Sequence, residues 1–170
     1  PSTKPWAILD GFRSAKFGMN EKQIKRVITK DFKVSSSKVK RTVHPLEKTS
    51  SLEFYVPELL AAGGKANLGY VFGQKTRKLI QVNVLWGLGV SKKSEPQDVA
   101  AAADLLRAHF TKKRYQEDFY AVNAKINDSS IIVFRGKDRK GRMVLLTLQQ
   151  PPPKIGKDKK KVQQVSLQLS

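Results

Sequence analysis

Apolar residues recur at helical spacing in one early stretch. Ile24, Val27, Ile28 and Phe32 fall on one side, and Lys22, Lys25, Arg26, Lys30 and Lys33 on the other. The start is marked as well. Asn20 is a capping residue, Gln23 stands at the box position three residues later, and Met19 and Ile24 have the spacing of a hydrophobic staple. The pattern predicts a helix over about 20–32. A second helical stripe runs Val99, Ala102, Ala103, Leu106, Phe110. Ser94 is its expected cap, with Pro96 in the first turn and Gln97 at the box position. Lys112, Lys113 and Arg114 follow at its C-terminal end, where the helix dipole favours cations.

Elsewhere the period is two. Leu52, Phe54 and Val56 alternate with polar neighbours before Pro57 ends the run. Residues 66–72 and 78–86 read as a hairpin around Gly73–Arg77, with Ile80, Val82, Val84 and Trp86 on one face of the second arm. Three further strands are expected at 119–125, 130–135 and 142–148, turning at Asn127-Asp128 and at Gly136–Gly141. Residues 1–16 look extended, with Trp6, Ile8 and Leu9 available to anchor on the core, and Ser35–Arg41 reads as a polar, basic connector. The expected fold is α+β: an antiparallel sheet of about six or seven strands with two helices packed on one face. The simplest organisation is a single domain over 1–170. The element order also fits two fused helix-plus-three-strand units, 1–90 and 91–150. Residues 151–161 form a basic Pro/Lys-rich loop before a last strand, Val162–Leu169, expected at the sheet edge.

Charge changes the picture more than any motif. Lys plus Arg number 33 against 14 acidic residues, a formal net charge of +19. Such a field attracts anionic partners: nucleic acid, anionic lipid or an acidic protein. The chain has no cysteine, which excludes disulfides, thiol catalysis and cysteine-ligated metal. It opens at Pro1 without an initiator Met, as a processed or trimmed product would, which leaves room for a removed signal peptide.

The string Gly18-Met-Asn-Glu-Lys-Gln-Ile-Lys25 resembles the helix start of small envelope-assembly proteins of the BamE/SmpA type. The wider pattern, Asp10 to Met19 with Gly69–Gly73 and Val133–Asp138, resembles a group of uncharacterised exported bacterial proteins. The resemblance implies an α+β envelope module that binds or scaffolds, located in the periplasm. It assigns no catalytic residue. The chain departs from the BamE type in having no lipobox cysteine and an additional second half.

No catalytic constellation is visible. His44 and His109 are far apart and lack metal-ligand spacing, and Asp10, Asp31, Glu53, Glu58, Asp104, Glu117 and Asp118 show no pairing. No P-loop, nucleotide fingerprint or nucleophile elbow occurs, and Gly136–Gly141 reads as a hairpin tip. No cofactor is expected. The candidate binding residues are cationic sets. Lys22, Lys25, Arg26, Lys30, Lys33, Lys38, Lys40 and Arg41 belong to helix one and its connector. Lys75, Arg77 and Lys78 mark one hairpin tip; Arg135, Lys137, Arg139, Lys140 and Arg142 mark another; Lys154, Lys157, Lys159, Lys160 and Lys161 mark the tail. If the two tips fall on the same edge of the sheet they form one broad surface for an anionic partner. Phe54, Phe72, Trp86, Phe110, Phe119 and Phe134 read as core, while Tyr55, Tyr70, Tyr115 and Tyr120 are the candidates for exposed rings. No RRM or KH signature appears, so nucleic acid enters only as a backbone-bound alternative. The sequence therefore supports a non-enzymatic basic module that docks on an acidic protein complex or an anionic envelope surface. The alternative is a cytoplasmic protein associated with nucleic acid or ribonucleoprotein.

Overall fold

Helix α1, Glu21–Phe32, begins as its sequence requires in the computed structural model, which describes residues 3–87, 90–149 and 164–170. Asn20 Oδ1 accepts from the Gln23 amide at 2.9 Å, and Gln23 Oε1 accepts from the Asn20 amide at 2.9 Å. The capping box is closed. Lys33 ends the helix in left-handed backbone and donates its amide to Thr29 O at 3.1 Å. Ile24, Val27 and Ile28 are buried, and Phe32 packs its ring 5.3 Å from that of Phe54.

Helix α2, Pro96–Phe110, buries the expected stripe, but its cap is Glu95 and not Ser94, and no side chain closes it. The proline explains the shift. Pro96 sits in the first helical position and holds the residue before it in extended backbone, so Glu95 must be the boundary. Ser94 Oγ is buried without a hydrogen-bond partner among the described protein atoms.

The main sheet has eight strands: β3 Lys40–Val43, β4 Ser50–Val56, β5 Ala66–Phe72, β6 Leu79–Gly87, β7 Ala121–Asn127, β8 Ser130–Lys137, β9 Met143–Gln149 and β10 Gln164–Leu169. Their spatial order is β3-β4-β5-β6-β10-β9-β8-β7, and every pairing is antiparallel. A small hairpin, β1 Gly11–Phe12 and β2 Ala15–Lys16, stands apart. Phe54, Leu68, Val84, Leu167, Leu146 and Phe134 form one buried row across β4, β5, β6, β10, β9 and β8. The stripe of α2 and the stripe of α1 join the same core cluster, so both helices lie on one face. The opposite face carries half-buried Asn67, Gln81, Asn83, Thr147, Ser166 and Gln168.

Three expectations are corrected. Strand β10 is central, clamped between β6 and β9, and not an edge. Its Val165, Leu167 and Leu169 are buried, while Gln164, Ser166 and Gln168 alternate with them on the half-buried opposite face. With that face polar, a central strand has the sequence pattern of an edge strand. Residues 40 and 41 of the supposed connector belong to edge strand β3, whose charged side chains suit an unpaired border. Ile80 does not join the inner face: Phe72 pairs Leu79 while Val71 pairs Gln81, so a bulge displaces Ile80 outward to 40% exposure. The basic residues expected in the 154–161 loop lie outside the described residues.

Candidate anionic-partner surface

One buried carboxylate shapes the β8–β9 tip. Asp138 is 3% exposed, and its Oδ1 accepts from the amides of Lys140 at 2.9 Å and Arg142 at 3.0 Å. Its Oδ2 accepts from the Leu9 amide at 3.0 Å, which ties the N-terminal segment to the tip. Its carbonyl accepts from Gln116 Nε2 at 2.6 Å, and its amide donates to Arg142 O at 2.9 Å. Every polar atom of the residue is used to fix backbone. The cations Lys137, Arg139, Lys140 and Arg142 are thereby splayed around a turn whose shape does not depend on them. Gly136 completes the arrangement, because a Cβ there would stand 2.6 Å from Tyr115 Cδ1.

Aromatic rings are interleaved with these cations. The Trp6 ring lies under the Arg114 guanidinium at 4.5 Å and the Arg139 guanidinium at 5.5 Å. Phe119 lies under Arg135 at 4.5 Å and Lys137 at 4.7 Å, and Arg135 Nε donates to Phe119 O at 2.9 Å. Arg142 covers Phe17 at 4.4 Å. Such contacts are worth about 0.5–1 kcal/mol each at exposed sites, and they orient a cation without neutralising it. Beside them lies a cavity of about 220 Å³ lined by Lys4, Lys113, Arg114, Tyr115, Glu117 and Tyr120. Burial, with Tyr120 and Asp138 nearby, pushes the Tyr115 hydroxyl well above its ordinary pKa and keeps it protonated.

The two tips lie at the same end of the sheet along the strand direction, not on a lateral edge, which is formed by β3 or β7. Val82 pairs Leu169, Leu169 pairs Val144, and Val144 pairs Gly136, so β6 and β9 reach their tips in the same direction. The loop before α1 joins them. Leu79 donates its amide to Met19 O at 2.7 Å, Gly18 donates to Leu79 O at 3.0 Å, and Phe17 meets Arg142. Lys75, Arg77 and Lys78 are exposed there, as are Arg139, Lys140 and Arg142; Arg135 and Lys137 are half-buried. No cation of either tip forms an ion pair with a described residue.

The helix-one set occupies a different part of the molecule. Lys22, Lys25, Arg26, Lys30, Lys33 and Lys38 are exposed along α1 and the turn after it, and Lys40 and Arg41 lie on edge strand β3. Arg41 is engaged: its Nε donates to Glu21 Oε1 at 2.8 Å, and that carboxylate raises the Arg41 pKa further above its ordinary value. No family model, curated protein or solved structure matches the chain.

The aromatic assignments need revision. Tyr70 and Tyr115 are buried, not exposed, and Phe119 is half-buried under its two cations. Tyr55 and Tyr120 are exposed. Trp6, Lys4 and Arg114 belong with the tips, which sequence reasoning missed; the available signal was an aromatic two residues after Lys4 and directly ahead of the first core position, Ala7. His44 is a turn residue whose Nδ1 accepts from the Glu47 amide at 3.0 Å, and His109 packs edge-on to Phe110. Among the described residues no three His, Asp or Glu side chains form a metal-holding group, and no helix is long and apolar enough to cross a membrane.

Proposed function

We propose that the protein is a non-enzymatic docking module of the bacterial cell envelope, an accessory subunit whose tip end seats on the acidic surface of a protein complex. One observation carries the reading: both hairpin tips and the Trp6–Arg114 pair lie at one end, with tip cations that form no ion pair among the described residues. Fixed, unpaired charge of one sign favours fast association with a partner of the other sign. The helix-one flank adds a second set of exposed lysines next to the first tip, through the Asn20–Lys78 bridge. The envelope setting is supported by the BamE/SmpA-like helix start.

A second reading, binding to single-stranded nucleic acid, is favoured by the interleaving of Trp6, Phe119 and Tyr120 with cations, since bases stack on such rings. Capture of tagged protein from its own cell fractions, at low and high salt and with nuclease-treated parallels, separates the two. The docking reading expects an acidic protein partner, retained after nuclease and released as salt rises. Nucleic acid recovered together with nuclease-sensitive protein partners would replace it with the second reading.

A further inference from the structure

A cavity of about 630 Å³ opens between the N-terminal segment, the C-terminal half of α2 and the end of β10. Its volume is within the ~300–1,000 Å³ of small-ligand sites. Leu9, Phe12, Leu60, Leu106, Phe110 and Leu169 supply apolar lining. Two large apolar side chains stand at it unburied: Ile8, 77% exposed, and Leu105, 46% exposed. The charged part of the described lining has one sign. Arg13 and Lys112 supply it, His109 adds a polar ring, and no carboxylate of a described residue lines it.

Arg13 is held in place. It occupies the turn between β1 and β2 at φ 53, a left-handed conformation that is costly for a residue with a Cβ. The turn persists because Ser14 donates through its amide at 3.0 Å and its hydroxyl at 2.7 Å to Asp31 on α1. The Arg13 guanidinium donates to Leu59 O at 3.0 Å and lies 5.0 Å over the Phe32 ring. One carbonyl uses only part of its five-donor fork. A pre-set cation beside an apolar cavity complements a ligand with an anionic head and one hydrocarbon chain.

We propose that this cavity is a binding site for a single-chain anionic amphiphile, its chain among the leucines and phenylalanines and its head between Arg13 and Lys112. The site is separate from the tip surface and does not depend on the docking role.

Calorimetric titration of the full chain with octanoate, decanoate and dodecanoate, each below its micelle concentration, tests this. The expected result is saturable binding of one ligand per chain. Affinity should rise roughly fourfold per methylene, the increment for burying each CH₂. Ala108→Trp, at an exposed helix position lining the cavity, should abolish binding in a protein whose melting is unchanged. Ile8→Glu, at a position too exposed to affect folding, should weaken binding by tenfold or more and serves if the first variant is unstable. Lys112→Gln should weaken it roughly fivefold, while Lys30→Gln, outside the cavity, should leave it unchanged. Absence of saturable binding, affinity independent of chain length, binding retained in both blocked variants, or equal loss in Lys112→Gln and Lys30→Gln would each overturn the proposal.

Discussion

Asp138 and Tyr70 show how differently a buried polar residue can be treated. Asp138 has each oxygen matched to an amide, so its charge is spent on geometry. Asp138→Asn would place an NH₂ against N–H donors. We expect a loss of about 2–3 kcal/mol, read from the urea midpoint. Tyr70 is fully buried, and its hydroxyl meets no protein partner among the described residues. Burial, reinforced by Asp31, raises its pKa far above the ordinary value of 10.0. The folded chain therefore keeps a proton that the unfolded chain releases above that value. This contribution is complete below pH 10 and is lost as pH rises, by up to about 1.4 kcal/mol per pH unit per tyrosine. Tyr70→Phe should flatten the alkaline fall measured by urea unfolding between about pH 9 and 11. At neutral pH it should be neutral or stabilising, since it removes an unpaired hydroxyl. A steeper alkaline fall in the variant would count against this account.

At the level of elements, the central place of β10 makes a sharp expectation. Leu167→Ala should cost about 2–5 kcal/mol, as for any leucine in a closed core. Val43→Ala on edge strand β3, where the side chain is 51% exposed, should change stability by no more than about 0.5 kcal/mol. Comparable losses at both positions would contradict the strand order. The same contrast explains what the sequence could reveal. The start and the stripe of helix α1 were legible, because its capping box and apolar spacing depend on local sequence. So was the β5–β6 hairpin, apart from the bulge that turns Ile80 outward. The position of β10 was not legible, since alternation reports that one face is buried and says nothing of the neighbours. Strand β3 was hidden because an edge strand with exposed lysine and arginine has no apolar period. The candidate surface was half legible: the tip cations stand out as charge, whereas Trp6 is brought to them by tertiary bonds, the Leu9–Asp138 contact and the pairing of residues 5–7 with Arg114.

At the scale of the molecule, the described candidate cations fall into two sets, the tip end and the α1 flank. Reversing charge at Arg139 and Lys140 together should weaken partner binding by tenfold or more at low salt. Reversing Lys25 and Lys30 should do less, because no ring or turn fixes them toward a partner. Both differences should fade near 1 M salt, where screening acts within about 3 Å. A partner held unchanged at that ionic strength would show that contact, not charge, carries the affinity. The sheet has a different vulnerability. β6 and β9 are not paired with each other, and among the described strands Gln164–Leu169 is the one hydrogen-bonded to both. Until that segment docks, each meander shows a bare ribbon of amides and carbonyls open to any passing strand. A chain cut short of residue 164 should therefore be a two-leaved receptor with an empty slot. A free peptide of this six-residue sequence, supplied in trans, is the piece that would close it.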